Sequence, residues 1–340
     1  MKKILLTDSS LRDGNHSVKH TINLDSIAKY CQFADIVGIP IVEVGHGNGL
    51  AASSISVGRS LFSDEDMLST ARKNLKKSKL GIHMIPGVAT LDNAKRAIDL
   101  GVDIIRVASH CTEATISKTH LEFLSTQQVT VYGVLMMSAL INAKDLLEQA
   151  KIMEGYGAQG IIIMDSTGSY LPNDVEERIS LLKSFLSIPV GFHAHNNLGC
   201  AIANSLVAAE SGAELIDGCI RGFGAGAGNA ALEILIPVLN QSGFDTGIDF
   251  EKTIKEADHV MNYLVPSAPI TEPINVLTGL EKLFSGFEKP IMNAAATYGI
   301  DYSTLIFELG ERKLVAGQED IIIEVAHQLE KKQQKNNILS

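Results

Sequence analysis

Three shortages set bounds on this chain before any of its motifs do. Its cysteines are few: Cys31, Cys111, Cys200 and Cys219 are scattered and form no C-x-x-C pair. That excludes a zinc knuckle and a disulfide framework, and leaves buried free thiols as the expectation. Long apolar runs are missing too, and none approaches the roughly 18 residues of a membrane span. After Met1-Lys2-Lys3 only three apolar residues precede Thr7, too few for the core of a secretory signal, so a cytoplasmic location with no membrane role is expected. Positive charge is short as well: 29 Lys and Arg against 39 Asp and Glu leave a net charge of -10. Without a basic stripe, nucleic acid is excluded as the main partner. The expected ligand is a small molecule.

What the chain does have is repetition of an apolar run followed by a stretch of helical periodicity. Strands are predicted at Ile4-Asp8, Ile41-Gly45, Leu80-Ile85, Ile104-Ser109, Thr130-Met136, Gly160-Met164, Val190-His195 and Leu215-Cys219. Between them Leu24-Val37, Leu91-Leu100, Ala143-Tyr156, Asn173-Phe185, Ala201-Ser211 and Ala230-Leu239 place apolar residues at three- and four-residue steps. Strands alternating with helices pair in parallel through right-handed crossovers. The count and length fit an α/β fold of the (β/α)8 TIM-barrel type. A doubly wound sheet is the competing architecture, but its glycine fingerprint is absent after the first strand, where Leu11-Arg12-Asp13-Gly14 stands instead.

The expected organisation is a catalytic barrel over 1-247, a helical C-terminal extension over 248-330 and a polar, fraying tail over 331-340. Helical patterns in the extension fall at Phe250-Leu264, Val276-Phe287, Pro290-Tyr298, Ser303-Leu309 and Ile321-Lys331, with Pro266, Pro269 and Pro273 punctuating the passage between the first two.

Barrels of this kind build their sites at the C-terminal ends of the strands, and polar residues gather there in this sequence. Strand one leads to Arg12, Asp13 and His16, strand two to Glu43 and His46, strand three to His83, and strand four to Arg106, His110, Cys111 and Glu113. Strand six delivers Asp165 and Ser166, strand seven His193, His195, Asn196 and Asn197, and strand eight the glycine-rich run from Gly222 to Asn229. Side chains two apart on a strand share a face, so His193 and His195 can offer nitrogens to one ion. A lone H-x-H is commonly two polar loop residues. Asp13, two places round a closed ring, supplies the carboxylate that makes a metal site the better reading, with positions left open for substrate. Arg12 is either half of a surface salt bridge or fixed charge beside an oxyanion. His16 is either an N-terminal cap or solvated loop residue, or a group that moves a proton. The glycine run is either a flexible turn or a source of backbone N-H groups for an anionic ligand.

With Leu11-Arg12-Asp13-Gly14-Asn15-His16, His193-Ala194-His195-Asn196-Asn197-Leu198 and Gly224-Ala225-Gly226-Ala227-Gly228-Asn229-Ala230 in view, the chain resembles the 4-hydroxy-2-oxovalerate aldolases. These are pyruvate-releasing class II aldolases of the metallolyase superfamily that includes hydroxymethylglutaryl-CoA lyase and isopropylmalate synthase. Further matches lie at Glu43 to Gly49, Arg106 to Ala114, Met164-Asp165-Ser166 and Gly317 to Asp320. The resemblance implies a divalent metal on Asp13, His193 and His195, Mn2+ first and Mg2+ or Co2+ as alternatives. It implies a 2-oxo acid substrate, His16 as base at the C4 hydroxyl, Arg12 at the enolate and Ser166 at the carboxylate. It also implies a place in aromatic hydrocarbon catabolism, an oligomer, and an acylating acetaldehyde dehydrogenase as partner. Glu43 and Asn229 are site candidates without an assigned role.

One departure stands out. The family's helical extension brings a tyrosine near the substrate, and the match through Thr278 to Ser285 places Phe284 there, a ring without a hydroxyl. Phe284 keeps open an alternative, another lyase or acyl-CoA condensing enzyme of the superfamily. Two histidines and a carboxylate also suit Fe(II) oxygenases, but those sites usually lie in double-sheet β folds. A non-catalytic assembly subunit is the remaining reading, and the intact Arg12, Asp13 and His16 argue against it.

Overall fold

Eight apolar segments become the parallel strands of a closed barrel in the computed structural model, which describes residues 1–264, 269–315 and 317–339. They are β1 (Leu5–Leu11), β2 (Ile41–Val44), β3 (Lys79–Met84), β4 (Ile104–His110), β5 (Thr130–Met136), β6 (Ile161–Asp165), β7 (Val190–Ala194) and β8 (Leu215–Gly218). Leu5 to Asp8 of β1 pair with Leu215 to Gly218 of β8 and close the ring. The helices between are α1 (Leu24–Val37), α2 (Asp64–Asn74), α3 (Leu91–Asp99), α4 (Lys118–Leu124), α5 (Ala143–Gly155), α6 (Pro172–Phe185), α7 (Ala201–Glu210) and α8 (Leu232–Gln241). The fold is the (β/α)8 barrel expected from the periodicity. Its local logic is ordinary capping. In α1, the Asn23 side chain accepts from the Ser26 N–H, and Gly38 ends the helix at a left-handed φ of 87°.

Two helices escaped the periodicity. In α2 only Met67, Leu68 and Ala71 are buried, an apolar stripe too narrow to stand out, although Ser63 and Asp66 form a capping box. The other, α4, has seven residues. Beyond the barrel come α9 (Phe250–Leu264), α10 (Pro273–Leu280), α11 (Glu288–Tyr298), α12 (Tyr302–Gly310) and α13 (Glu319–Leu339). The single helix predicted over Val276-Phe287 is a correction: α10 stops at Leu280, Lys282 takes a left-handed φ of 53°, and a short 3-10 turn covers Ser285–Phe287. The break lets Ser285 bond to the barrel. Past Lys331, where fraying was expected, α13 stays helical to Leu339. Pro266 lies outside the described residues.

Among the described residues apolar surface is buried at three places. Strand residues such as Leu6, Val42, Ile105 and Phe192 pack outward against the helices, and Ala257, Val260 and Leu264 of α9 join that core. A separate cluster that includes Leu283, Phe287, Ile291, Leu305 and Ile322 holds α10 to α13 together. The third cluster fills the barrel lumen with Ile41, Ile104, Tyr132, Ile162 and Leu215. Because side chains alternate along a strand, two steps past Ile41, Ile104 and Leu215 the lumen receives Glu43, Arg106 and Asp217. There the apolar packing ends and the site begins.

Candidate active site at the barrel mouth

Charged side chains in the upper lumen are buried yet paired. Arg106 of β4 reaches Asp217 of β8 with two bonds, Nη1 to Oδ2 at 2.6 Å and Nη2 to Oδ1 at 2.7 Å. Glu43 of β2 accepts from Ser9 Oγ at 2.9 Å and from Arg12 Nε at 2.8 Å. Burial alone would raise the Glu43 carboxyl, but Arg12, Arg106 and His83 outweigh it and hold the group at about 2.

Past β1 the chain makes a 3-10 turn over Asp13–His16. Arg12 is 3% exposed, so the surface salt bridge is ruled out. Its Nη1 donates to Asp13 Oδ1 at 2.7 Å, and its Nη2 is buried without a partner among the described residues. The other Asp13 oxygen accepts from Asn229 Nδ2 at 2.7 Å and from the Ala225 N–H at 3.2 Å. The glycine-rich run therefore aims a backbone N–H at a protein carboxylate, and its helix starts at Leu232 rather than Ala230. Gly224 is required there: a Cβ would sit 2.7 Å from Asp13 Oδ2 and 2.6 Å from Asn229 Nδ2. Burial pushes Asp13 up, yet Arg12, His195 and His193 more than offset it, so the carboxyl lies well below its ordinary range.

His193 and His195 do face together, with ring centroids 5.1 Å apart. The predicted strand ends one residue early, at Ala194, and His195 forms an isolated bridge with Asn229. One ligand atom from each of Asp13, His193 and His195 lies within 4.8 Å of the others. Nε2 of His193 and Nδ1 of His195 are buried without partners among the described residues. An unpartnered buried nitrogen is costly, and two of them beside an ionised carboxylate form a donor set that fits a divalent ion. His195 is held at about 3 by burial, against the pull of Asp13, so it stands neutral, as a ligand must.

His16 is half-buried at the rim. Burial lowers it to about 4, with Asp13 pulling the other way and Arg12 adding to the fall. Its Nε2 packs so close to Gly47 that a Cβ there would lie 2.4 Å away. Behind it His20 and His46 stack with centroids 3.6 Å apart. His46 is bonded to the Gly58 carbonyl at 3.0 Å, which makes it part of a loop clamp. Phe284 stands edge-on to His16 at 6.4 Å. Arg12, Asp13, His16, His83, Ser166, His195 and Phe284 line one cavity of about 530 Å³, with Ile85, Met136 and Met164 among its apolar wall. Ser166 Oγ accepts from the Met137 N–H at 3.0 Å, which leaves its hydroxyl hydrogen free to donate.

Other predicted residues serve the scaffold. Asp165 accepts from Thr167, Ser169 and Tyr170 and shapes the turn after β6. Asn197 ties β7 to α10 through the Asn275 carbonyl and the Thr278 hydroxyl. His110 bonds Thr112 at the rim. The sequence reading missed Asp217, which touches His193, and Ser285, whose N–H and hydroxyl both reach the Ser166 carbonyl at 3.0 Å. An acidic residue inside the apolar run Leu215-Ile216-Asp217 was the available signal for the first.

Fold and site together define a barrel enzyme with a candidate metal centre beside a buried arginine. The HMGL-like family profile matches residues 3–260, and that of the DmpG-like communication domain matches 269–331. The chain is 54% identical to the 4-hydroxy-2-oxovalerate aldolase of Spirochaeta aurantia over 96% of each sequence. It is 51% identical to that of Pectobacterium atrosepticum over 98% of each. The chain belongs to the 4-hydroxy-2-oxovalerate aldolase family and is a lyase. The carboxyl transferase domain of Rhizobium etli pyruvate carboxylase, solved with pyruvate and biocytin, superposes with a TM-score of 0.82 at 16% identity, covering 98% of this chain and 61% of that one. At that identity the likeness concerns the fold alone.

Proposed function

We propose that this chain cleaves 4-hydroxy-2-oxovalerate, or a 4-hydroxy-2-oxo acid of similar length, into pyruvate and a short aldehyde by a divalent-metal-dependent retro-aldol reaction. The observation that carries this reading is the grouping of Asp13, His193 and His195 with two unpartnered nitrogens, next to the unpartnered Nη2 of Arg12. A divalent ion on those three residues, Mn2+ by preference, would supply Lewis-acid polarisation of the 2-oxo group.

The chain's own residues account for the rest. His16, neutral at pH 7, takes the proton from the C4 hydroxyl. The C3–C4 bond then breaks, C4 leaves as the aldehyde, and the electron pair passes into a pyruvate enolate. Arg12 holds fixed charge against the enolate oxygen with no reorganisation, because Glu43 and Asp13 already clamp its guanidinium. Ser166 donates to the substrate carboxylate, and C3 takes up a proton from solvent to complete pyruvate, balanced by the proton that His16 took and releases to solvent. Phe284 contributes an apolar wall and no proton. The DmpG-like match over 269–331 supports a second part of the proposal, that an acylating acetaldehyde dehydrogenase docks on α10 to α13.

A lactate dehydrogenase-coupled assay with Mn2+ tests this. Pyruvate should appear from the five-carbon acid and stop on chelation with EDTA. No pyruvate from any five- or six-carbon 4-hydroxy-2-oxo acid would overturn the reading.

A further inference from the structure

The proposed chemistry makes no use of Arg106 or Asp217, yet both are buried, 1% and 2% exposed, directly beneath the site. Their strands, β4 and β8, lie on opposite sides of the eight-strand ring, so the pair crosses the lumen. Arg106 Nη2 makes one more bond, to Thr7 Oγ1 of β1 at 2.8 Å. Such a pair is poorly explained by stability. Replacing a buried ion pair with apolar residues of similar volume is often neutral or stabilising, because desolvation offsets the attraction.

The pair's third contact suggests its purpose. Asp217 Oδ2, already bonded to Arg106, lies 2.9 Å from His193 Nδ1. A carboxylate accepts and cannot donate, so the hydrogen of that bond sits on Nδ1. In a neutral imidazole the lone pair is then on Nε2, the atom of His193 that is buried without a partner among the described residues. Histidine ligands are commonly oriented by such a carboxylate.

We propose that Arg106 and Asp217 are positioning residues that hold His193 as its Nδ1–H tautomer and so leave Nε2 to ligate the divalent ion. This rests on the metal-dependent reading above. Arg106 fixes the carboxylate, Thr7 fixes Arg106, and the rigidity of three strands is passed to one ring.

The test separates positioning from packing. The double variant Arg106→Met with Asp217→Leu removes both partners of the pair, and Glu43, which also lies 3.8 Å from Arg106, keeps Arg12 as its counter-ion, so the barrel should still fold by circular dichroism, while His193 loses its acceptor. Titration of metal-free protein with Mn2+, followed by the electron paramagnetic resonance of free ion, should give a dissociation constant roughly 10- to 100-fold above that of the parent. A folded double variant binding Mn2+ within about twofold of the parent overturns the proposal. Asp217→Asn gives a second reading of the same constant. In the unmutated, metal-free protein, 15N spectroscopy of the histidines should show His193 protonated on Nδ1, and a proton on Nε2 overturns the proposal whether or not the variants fold. A parent that binds no Mn2+ sinks the metal-dependent reading instead, and the tautomer is still decided.

Discussion

At the lower level of the barrel lumen Ile41, Ile104 and Leu215 pack apolar surface together. Two residues further along the same strands stand Glu43, Arg106 and Asp217, linked by ion pairs and all but sealed from solvent. Backbone geometry and burial are shared by the two levels, and only the side-chain chemistry differs. Filling a lumen therefore does not require charge. The lower level contributes stability, about 1.5–3 kcal/mol for each large apolar side chain withdrawn from water. The upper level gives some of that up, since each ion must be desolvated and then paired. What it gains is a rigid polar floor under Arg12, Asp13 and His193.

If this division is right, changes above should cost turnover and changes below should cost stability. The largest effect on turnover is expected for His16→Ala: kcat for pyruvate release should fall by about 10²–10⁴-fold with Mn2+ affinity retained, and a loss under tenfold would remove His16 from the role of base. Gly47→Ala should act in the same direction but less strongly. Its Cβ, 2.4 Å from His16 Nε2, must push the imidazole aside. Because the displaced atom ends a flexible side chain, the melting temperature should hardly move; an unchanged kcat would show that the position of His16 does not matter. Ile104→Val, in the lower level, should lower unfolding free energy by about 0.5–1.5 kcal/mol with kcat unchanged. A fall in kcat matching that of Gly47→Ala would erase the distinction between the levels.

Much of this architecture was readable along the chain because it rests on local rules. Alternation of period-two and period-3.6 segments specified the barrel, and the two-residue spacing of His193 and His195 put both rings on one face. The position of Asp13 at the end of β1, two strands from β7, followed from closure of the ring. Phe284 was flagged by a missing hydroxyl, and the fold placed its ring against His16.

Tertiary structure alone decided the partnerships. Arg106 and Asp217 are 111 residues apart and Asn229 is 216 from Asp13, and no periodicity links such positions. The break in the predicted Val276-Phe287 helix has the same origin, because Ser285 leaves helical geometry to bond Ser166 and Asn197. Sequence determines which face a side chain takes, since that depends on neighbours two to four residues away. Which charge it meets there depends on barrel closure, and the bonds of Arg12 to Glu43 and of Asp13 to Asn229 turn the Arg12-Asp13 pair from a surface salt bridge into the buried edge of a candidate active site.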